Sequence, residues 1–427
     1  MSNHEIQDYV NCVCKQIRWK NYRSAIRNEL QGHIADSMDD FMGQGESEGE
    51  AIKKTFEELG SPQVIGKELN EVYKPEFDKG KLFFTGLFIL FFYFLECYAA
   101  AGIIEDGSWI YRGFLKIVLG VVAALLLFFN NWLDRDNLNK TAFIVYGLAC
   151  LLSVMLYICP VNEKSPALNA ILLVFSFPMC CWGARLKDGK MIGFGGIAII
   201  FLIPVLISLF VQMYACAVLL TLISFFNMFF IVKFNWLNIK RKHFLYIVVF
   251  VMAIVVLAGI LAVKMRKVPV NINFFFVREY ISKAKMLGMG NADIAAGVQL
   301  IDYPITLLAA RFGFIILLIY FLFVMMLIRE MIKTYKKQQS FLGKSIIAVI
   351  IFDWGMEILL SIVINLGIPL AKGISVPLLD YDWDIVVRIL QLGLVLTLDC
   401  FGNYLFSDYS GSKLFVVEQG KVIIYYK

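Results

Sequence analysis

The chain has 427 residues, 59% hydrophobic, 15% aromatic and only 17% charged, with a mean hydropathy of +0.71. A soluble domain is about half apolar and a quarter charged, so this composition excludes a soluble globular enzyme and points to many membrane spans. The net charge of +6 is spread over short loops, which excludes a nucleic-acid footprint and reads as an orientation signal.

Residues 1–78 are polar enough to form a separate soluble helical domain, and they lack the pattern of a secretory signal peptide. Ser2 and Glu5 have capping-box spacing, ahead of an apolar stripe at helical period: Ile6, Val10, Val13 and Ile17. A second helix is expected from about Tyr22 to Met42, with Tyr22, Ile26, Leu30, Ile34, Met38 and Phe41 on one face. Gly43-Gln44-Gly45 ends it. Ser47 and Glu50 open a third helix carrying Ile52, Phe56 and Leu59, which Gly60 stops. Ser61-Pro62 restarts the chain, with Pro in the first turn where its missing N–H is harmless, and Val64, Ile65, Leu69 and Val72 line the last helix. Nine cysteines show no CxxC spacing, and most sit in apolar runs where a thiol acts as a small hydrophobe. Cys12 and Cys14 would face opposite sides of a helix. His33 has no second His or Cys at ligand spacing, so it reads as a surface or packing residue rather than a metal ligand.

With about 20 apolar residues per span, ten candidates emerge: 82–104, 113–133, 142–160, 167–183, 191–210, 213–232, 243–264, 303–328, 345–368 and 385–406. Alternate loops are basic: Arg135 and Lys140; Arg185, Lys187 and Lys190; Lys233, Lys240, Arg241 and Lys242; Arg329, Lys333, Lys336, Lys337 and Lys344. Opposite loops hold only Arg112, Lys164 and Lys372. The positive-inside rule makes the first set cytoplasmic, and an even span count puts both termini there. Loop 265–302 then faces outside. Its apolar patch Phe274–Val277 is expected to lie in the interface or re-enter the membrane. Residues 408–427 form a short tail, with a β-hairpin expected over 415–424.

Asp302 stands where the chain re-enters an apolar segment. A carboxylate at the edge of hydrocarbon is costly, hence a functional candidate; it equally suits a helix N-cap. Asp353 and Glu357 fall one turn apart near or inside the ninth span, which suggests a polar cavity or pairing with Arg388 or Arg311. Asp380, Asp382 and Asp384 cluster in the last outer loop. They read as a solvated acidic loop, and as candidate oxygen ligands for a divalent cation.

Two resemblances attach to these residues. Glu29–His33–Asp36, Gly45-Glu46-Ser47-Glu48-Gly49-Glu50-Ala51 and Leu59-Gly60-Ser61-Pro62 resemble the HAAS domain (permease prefix domain 1), over about 50 residues. That implies a cytosolic helical module fused to membrane proteins of Gram-positive-type bacteria, hence a bacterial plasma-membrane protein. The region 82–407 is similar to the SEDS family (the FtsW, RodA and SpoVE proteins), which implies a ten-span, all-α bundle with a functional loop between spans seven and eight. The family's Gly-x-Gly-Asn element is matched by Gly288-Met289-Gly290-Asn291, and Asp302 is followed eleven residues later by Gly313. Leu366-Gly367, Gly373-Ile374-Ser375-Val376-Pro377 and Tyr381 keep the family's order and spacing. Tyr214 stands where the family has Asp, and Asp380–Asp384 replaces a Ser-Tyr-Gly-Gly-Ser run.

The SEDS resemblance implies a peptidoglycan glycosyltransferase acting on lipid II, with a class B penicillin-binding protein as a partner and a role in division, elongation or sporulation. Joining a sugar hydroxyl to a lipid-linked anomeric carbon needs a base, for which the motif position designates Asp302. It also needs positive charge for the leaving pyrophosphate. Lys264, Arg266, Lys267, Arg278, Lys283 and Lys285 are the candidates, with Gly288, Gly290 and Asn291 as binding-loop residues; each cation equally reads as plain surface charge. No cofactor beyond the candidate cation and no resident metal are implied. A non-catalytic lipid-binding or signalling protein on the same scaffold is the alternative, favoured by the altered motifs and the HAAS-like domain. A lipid-precursor transporter is a further one, permitted by Gln212, Glu357 and Asn365 inside spans.

Overall fold

The computed structural model describes residues 2–74, 78–100, 108–129, 135–158, 202–209, 220–226, 229, 273–287, 303–366, 376–379, 384–405, 415–418 and 421–424. The chain divides into two compact units: Met1–Phe77 with Leu126–Asn137 and Leu396–Lys427, and Asp78–Leu125 with Leu138–Val395.

The first unit holds α1 (Ser2–Gln16), α2 (Lys20–Gly43), α3 (Glu48–Leu59) and α4 (Pro62–Val72). Helical periodicity predicts its core well: Val10, Val13, Ile17, Tyr22, Ile26, Leu30, Ile34, Met38, Ile52, Leu59, Ile65 and Leu69 are buried. Val64 and Val72 are not; at 50% and 42% exposure they lie off the packed face of α4. The capping box forms, with Glu50 accepting from Ser47 N at 3.4 Å and Ser47 Oγ at 2.9 Å. Gly60 ends α3 at φ +87, and the Tyr9 hydroxyl donates to its carbonyl at 2.8 Å. Tyr9 stacks on Phe56 at 4.6 Å, and burial pushes its hydroxyl up to about 12. Aromatic contacts extend this core: Trp19 stacks on Phe129 at 5.8 Å, Tyr22 meets Phe401 edge-on at 5.0 Å, and the Tyr22 hydroxyl donates to Cys400 O at 3.2 Å. The expected tail hairpin is present. β1 (Phe415–Glu418) pairs antiparallel with β2 (Lys421–Ile424), Phe415 opposite Ile424, and packs against α2, α3 and α4.

Further helices are α5 (Lys79–Ala100), α6 (Ser108–Phe129) and α7 (Arg135–Ile158), then α8 (Asn273–Lys283), α9 (Pro304–Phe312), α10 (Phe314–Lys337), α11 (Phe341–Asn365) and α12 (Asp384–Leu405). This is an all-α polytopic membrane bundle. Among the described residues, Lys79–Ala99, Ile110–Phe129, Phe314–Lys337 and Leu342–Val363 are long and apolar enough to cross a membrane. The expected spans 167–183, 191–210, 213–232 and 243–264 fall wholly or mostly outside the described residues. Small residues let helices approach: a Cβ added at Gly393 of α12 would come within 2.5 Å of Ala124 Cβ on α6. Aromatic stacking joins α5 to α10, with Phe88 and Phe323 centroids 4.3 Å apart.

One expected span is corrected. The run 303–328 is not a single helix. It breaks at Gly313 (φ +88, ψ 173) into buried α9 and the span α10, which starts at Phe314 and continues to Lys337. Arg329, Lys333, Lys336 and Lys337, read as loop residues, are thus on the last turns of α10. Arg311 is the one charged residue in the run and precedes Gly313 by two positions, a last-turn cation ahead of a helix-ending glycine.

Candidate functional site

The short helix α9 is the centre of the candidate site. Residues Pro304 to Ala310 are all buried, and α9 packs against α5, α8, α10 and α11. Pro304 occupies its first position, where proline is preorganised. The N-cap is Tyr303, not Asp302, and Tyr303 makes no side-chain cap. That corrects the cap reading of Asp302 by one residue. The cap comes from another helix: Asn365 Oδ1, at the end of α11, accepts from Thr306 N at 3.0 Å and Thr306 Oγ1 at 2.6 Å. Asn365 Nδ2 in turn donates to Ser361 O at 2.8 Å, which fixes the amide. Truncating Asn365 leaves a buried N–H without an acceptor, worth about 1–3 kcal/mol. We expect Asn365→Ala to lower the apparent melting temperature by several degrees and to speed amide exchange in α9 selectively.

Gly313 closes α9 and opens α10. The N–H groups of Phe314 and Ile315, orphans at the start of α10, donate to the carbonyls of Lys285 (3.0 Å) and Met286 (3.2 Å). The loop after α8 is therefore stapled to the first turn of a span. A Cβ at Gly313 would lie 2.8 Å from both the Lys285 and Met286 carbonyl oxygens, at a backbone conformation only glycine adopts readily. Gly313→Ala is expected to destabilise by about 1–3 kcal/mol, whereas Gly86→Ala in α5, where nothing lies within 4 Å, is not. A melting comparison of the two variants checks this. The spacing from Asp302 to Gly313 thus has a physical content: nine of its eleven residues are α9, flanked by the caps Tyr303 and Gly313.

A second anchor lies across from α10. Val376–Leu379 form a tight turn with Pro377 at its second position and Leu378 at φ +65, closed by Leu379 N donating to Val376 O at 3.0 Å. The Tyr320 hydroxyl of α10 donates to Pro377 O at 2.5 Å, and Tyr320, Val376, Leu378 and Leu379 are all buried.

Of the residues singled out from the sequence, Asp302, Lys264, Arg266, Lys267, Gly288, Gly290 and Asn291 lie outside the described residues, as do Asp380 and Asp382. Arg278, Lys283 and Lys285 are described and exposed. Lys283 pairs with Glu279 one turn back on α8, and that hydrogen bond holds its ammonium above its usual range. Its charge is already partly matched, so Arg278 and Lys285 are the stronger anion candidates. The patch expected in the interface is represented by Val277, which is buried inside the protein at 0% exposure, as is Tyr280 at 6%; α8 packs on α9. Asp384 is buried at the start of α12, which corrects its reading as part of a solvated loop. Among the described residues no His, Cys, Asp and Glu cluster is shaped to hold a metal ion.

The structure adds a polar centre absent from the expected site. Asp353 and Glu357 of α11 both engage Arg388 of α12, resolving the sequence alternatives in favour of Arg388 over Arg311. Arg388 Nη1 donates to Asp353 Oδ2 and, at 2.8 Å, to Gln391 Oε1, while Nη2 lies 2.7 Å from Glu357 Oε2. Gln391 Nε2 donates to Asp353 Oδ2 at 2.9 Å, and Trp354 Nε1 donates to Gln391 Oε1 at 2.7 Å. All five side chains are buried. The i,i+4 acids were the available signal; the partners Gln391 and Trp354 carried none. This network ties α11 to α12, and so positions the Asn365 end of α11 that caps α9.

No protein-family model and no curated protein sequence matches the chain. Solved structures do. One is a chain from work described as the structural coordination of polymerization and crosslinking by a peptidoglycan synthase complex, at TM-score 0.55 and 15% identity, covering 76% of this chain and 97% of that one. Another is the Rod shape determining protein RodA of Thermus thermophilus, at TM-score 0.50 and 17% identity, covering 76% of this chain and 96% of that one. At this identity the likeness establishes the fold.

Proposed function

We propose that this chain, a membrane protein of SEDS-like fold, is a cell-wall glycosyltransferase that polymerises lipid II. The likeness to the peptidoglycan synthase structure carries the reading; the motif positions around α9 support it. In the proposed reaction an acceptor sugar hydroxyl attacks the anomeric carbon of a lipid-linked disaccharide. The bond to the pyrophosphate oxygen breaks, undecaprenyl pyrophosphate leaves, and Asp302 takes the hydroxyl proton. The Gly288–Asn291 loop and the cations Arg278 and Lys285 hold the pyrophosphate, joined by Lys264, Arg266, Lys267 and, less strongly, Lys283. The working face is outside, the termini are cytoplasmic, and the N-terminal helices are a HAAS-like module. A class B penicillin-binding protein is the proposed partner, by analogy with the synthase complex.

The test is incubation of purified protein with lipid II, alone and with a class B penicillin-binding protein, and resolution of the glycan products by gel. Polymer formation supports the enzyme. Binding of lipid II without polymer supports the non-catalytic lipid-binding reading instead. The Asp353–Arg388–Glu357 cluster favours a transporter as the second reading, because ionisable groups inside spans mark ion or substrate paths; movement of lipid II across vesicles without polymerisation would select it.

A further inference from the structure

We propose that Met286 and Leu287 form an apolar wedge that enters the acyl region of the leaflet in which α10 begins. Three observations carry this. Met286 and Leu287 are 72% and 70% exposed, among the most open large apolar side chains of the described residues. Their depth is fixed, because the carbonyls of Lys285 and Met286 accept the first two N–H groups of α10, a span of 24 residues. Leu318 and Leu322, four and eight residues on from the stapled Phe314 and so on its helical stripe, are 58% and 63% exposed, so α10 carries an open apolar surface that starts at the staple.

Charge agrees with this placement. Lys285, exposed, immediately precedes the wedge and Arg278, exposed, lies on the preceding helix α8, basic residues of the kind found at headgroup level beside inserted apolar ones. The occupant is therefore bilayer lipid, and the loop is held at the water–lipid boundary by insertion on one side and by the α10 staple on the other. The inference does not depend on turnover. It adds to the proposed function that the candidate anion-binding cations sit at the depth where a lipid-linked pyrophosphate emerges.

The experiment uses the full chain in vesicles of phosphatidylcholine and phosphatidylglycerol containing phosphatidylcholine with a diazirine in its acyl chain. After photolysis, trypsin cuts after Lys285, Arg311 and Arg329, and fragmentation of the Met286–Arg311 and Phe312–Arg329 peptides locates the adducts. The expected result is lipid adduct on Met286 and Leu287 at a level comparable with Leu318 and Leu322. A Met286→Glu/Leu287→Glu variant should lose it at least fivefold, with the α10 adducts unchanged as the measure of intact folding. Leu287→Phe should keep it. Absence of adduct at these two residues in the unaltered protein, beside normal labelling of α10, overturns the inference. So does cross-linking of the wedge to a second copy of the chain in place of lipid.

Discussion

Replacing Arg388 by Met is expected to lower the apparent melting temperature of the detergent-solubilised protein by roughly 5–10 °C, from a loss of about 3–5 kcal/mol. Arg388 is 1% exposed, and its guanidinium answers two carboxylates, Asp353 and Glu357, that are equally buried. Removing it leaves both buried carboxylates without the guanidinium that answers them. Lys is not a sufficient substitute. Its ammonium is a single point charge without the fork that sets Nη1 at Asp353 and Gln391 and Nη2 at Glu357, so Arg388→Lys should fall between wild type and Arg388→Met. The decisive comparison is the triple variant Asp353→Asn/Glu357→Gln/Arg388→Met, which removes all three charges together. It should recover most of the loss, because the penalty comes from an unpaired charge rather than from the absence of a bridge. A single variant as stable as wild type would mean that the two carboxylates find other compensation.

The residues that could be read from the sequence are those whose information is local. Ser47 and Glu50, Gly60 and Pro62 each mark a helix end by their own chemistry, and each marks one in the structure. The stripe on α2 predicts its buried face for the same reason. The features that were not legible depend on partners far away in the chain. Gly313 breaks the run 303–328 through a positive φ, and the space a side chain there would need is taken by the Lys285 and Met286 carbonyls. Asn365 looked like a polar residue available to a transport path, yet it caps α9, 59 positions upstream at Thr306. Asp384 looked solvated because its sequence neighbours are acidic, but it begins α12 one turn before Arg388. Asp353 and Glu357 were recognisable as a buried pair, and only the fold could choose between Arg388 and Arg311.

Asp302→Ala is expected to reduce lipid II polymerisation by about 10²–10⁴-fold, the range a general base supplies, while leaving lipid II binding and the melting temperature close to wild type. Directly downstream of it the fold constrains Tyr303, Pro304 and Thr306. Tyr303 is buried at the N-cap of α9, Pro304 fixes the first helical φ, and Thr306 is held by Asn365. A firm anchor directly downstream is what a base needs to meet an acceptor hydroxyl at one geometry. Asp302→Asn separates this role from positioning: it keeps shape and hydrogen bonding but cannot take a proton, so it should fail as Ala does. Asn365→Ala should instead retain part of the activity, because it loosens α9 without removing the base. If Asp302→Asn and Asp302→Ala both polymerise lipid II at the wild-type rate, the proton is taken elsewhere. If wild type binds lipid II without polymerising it, the chain uses this scaffold for binding alone. The three variants divide these outcomes because Asn365 acts on α9 through its hydrogen bonds to Thr306, whereas Asp302 is assigned by its place in the motif.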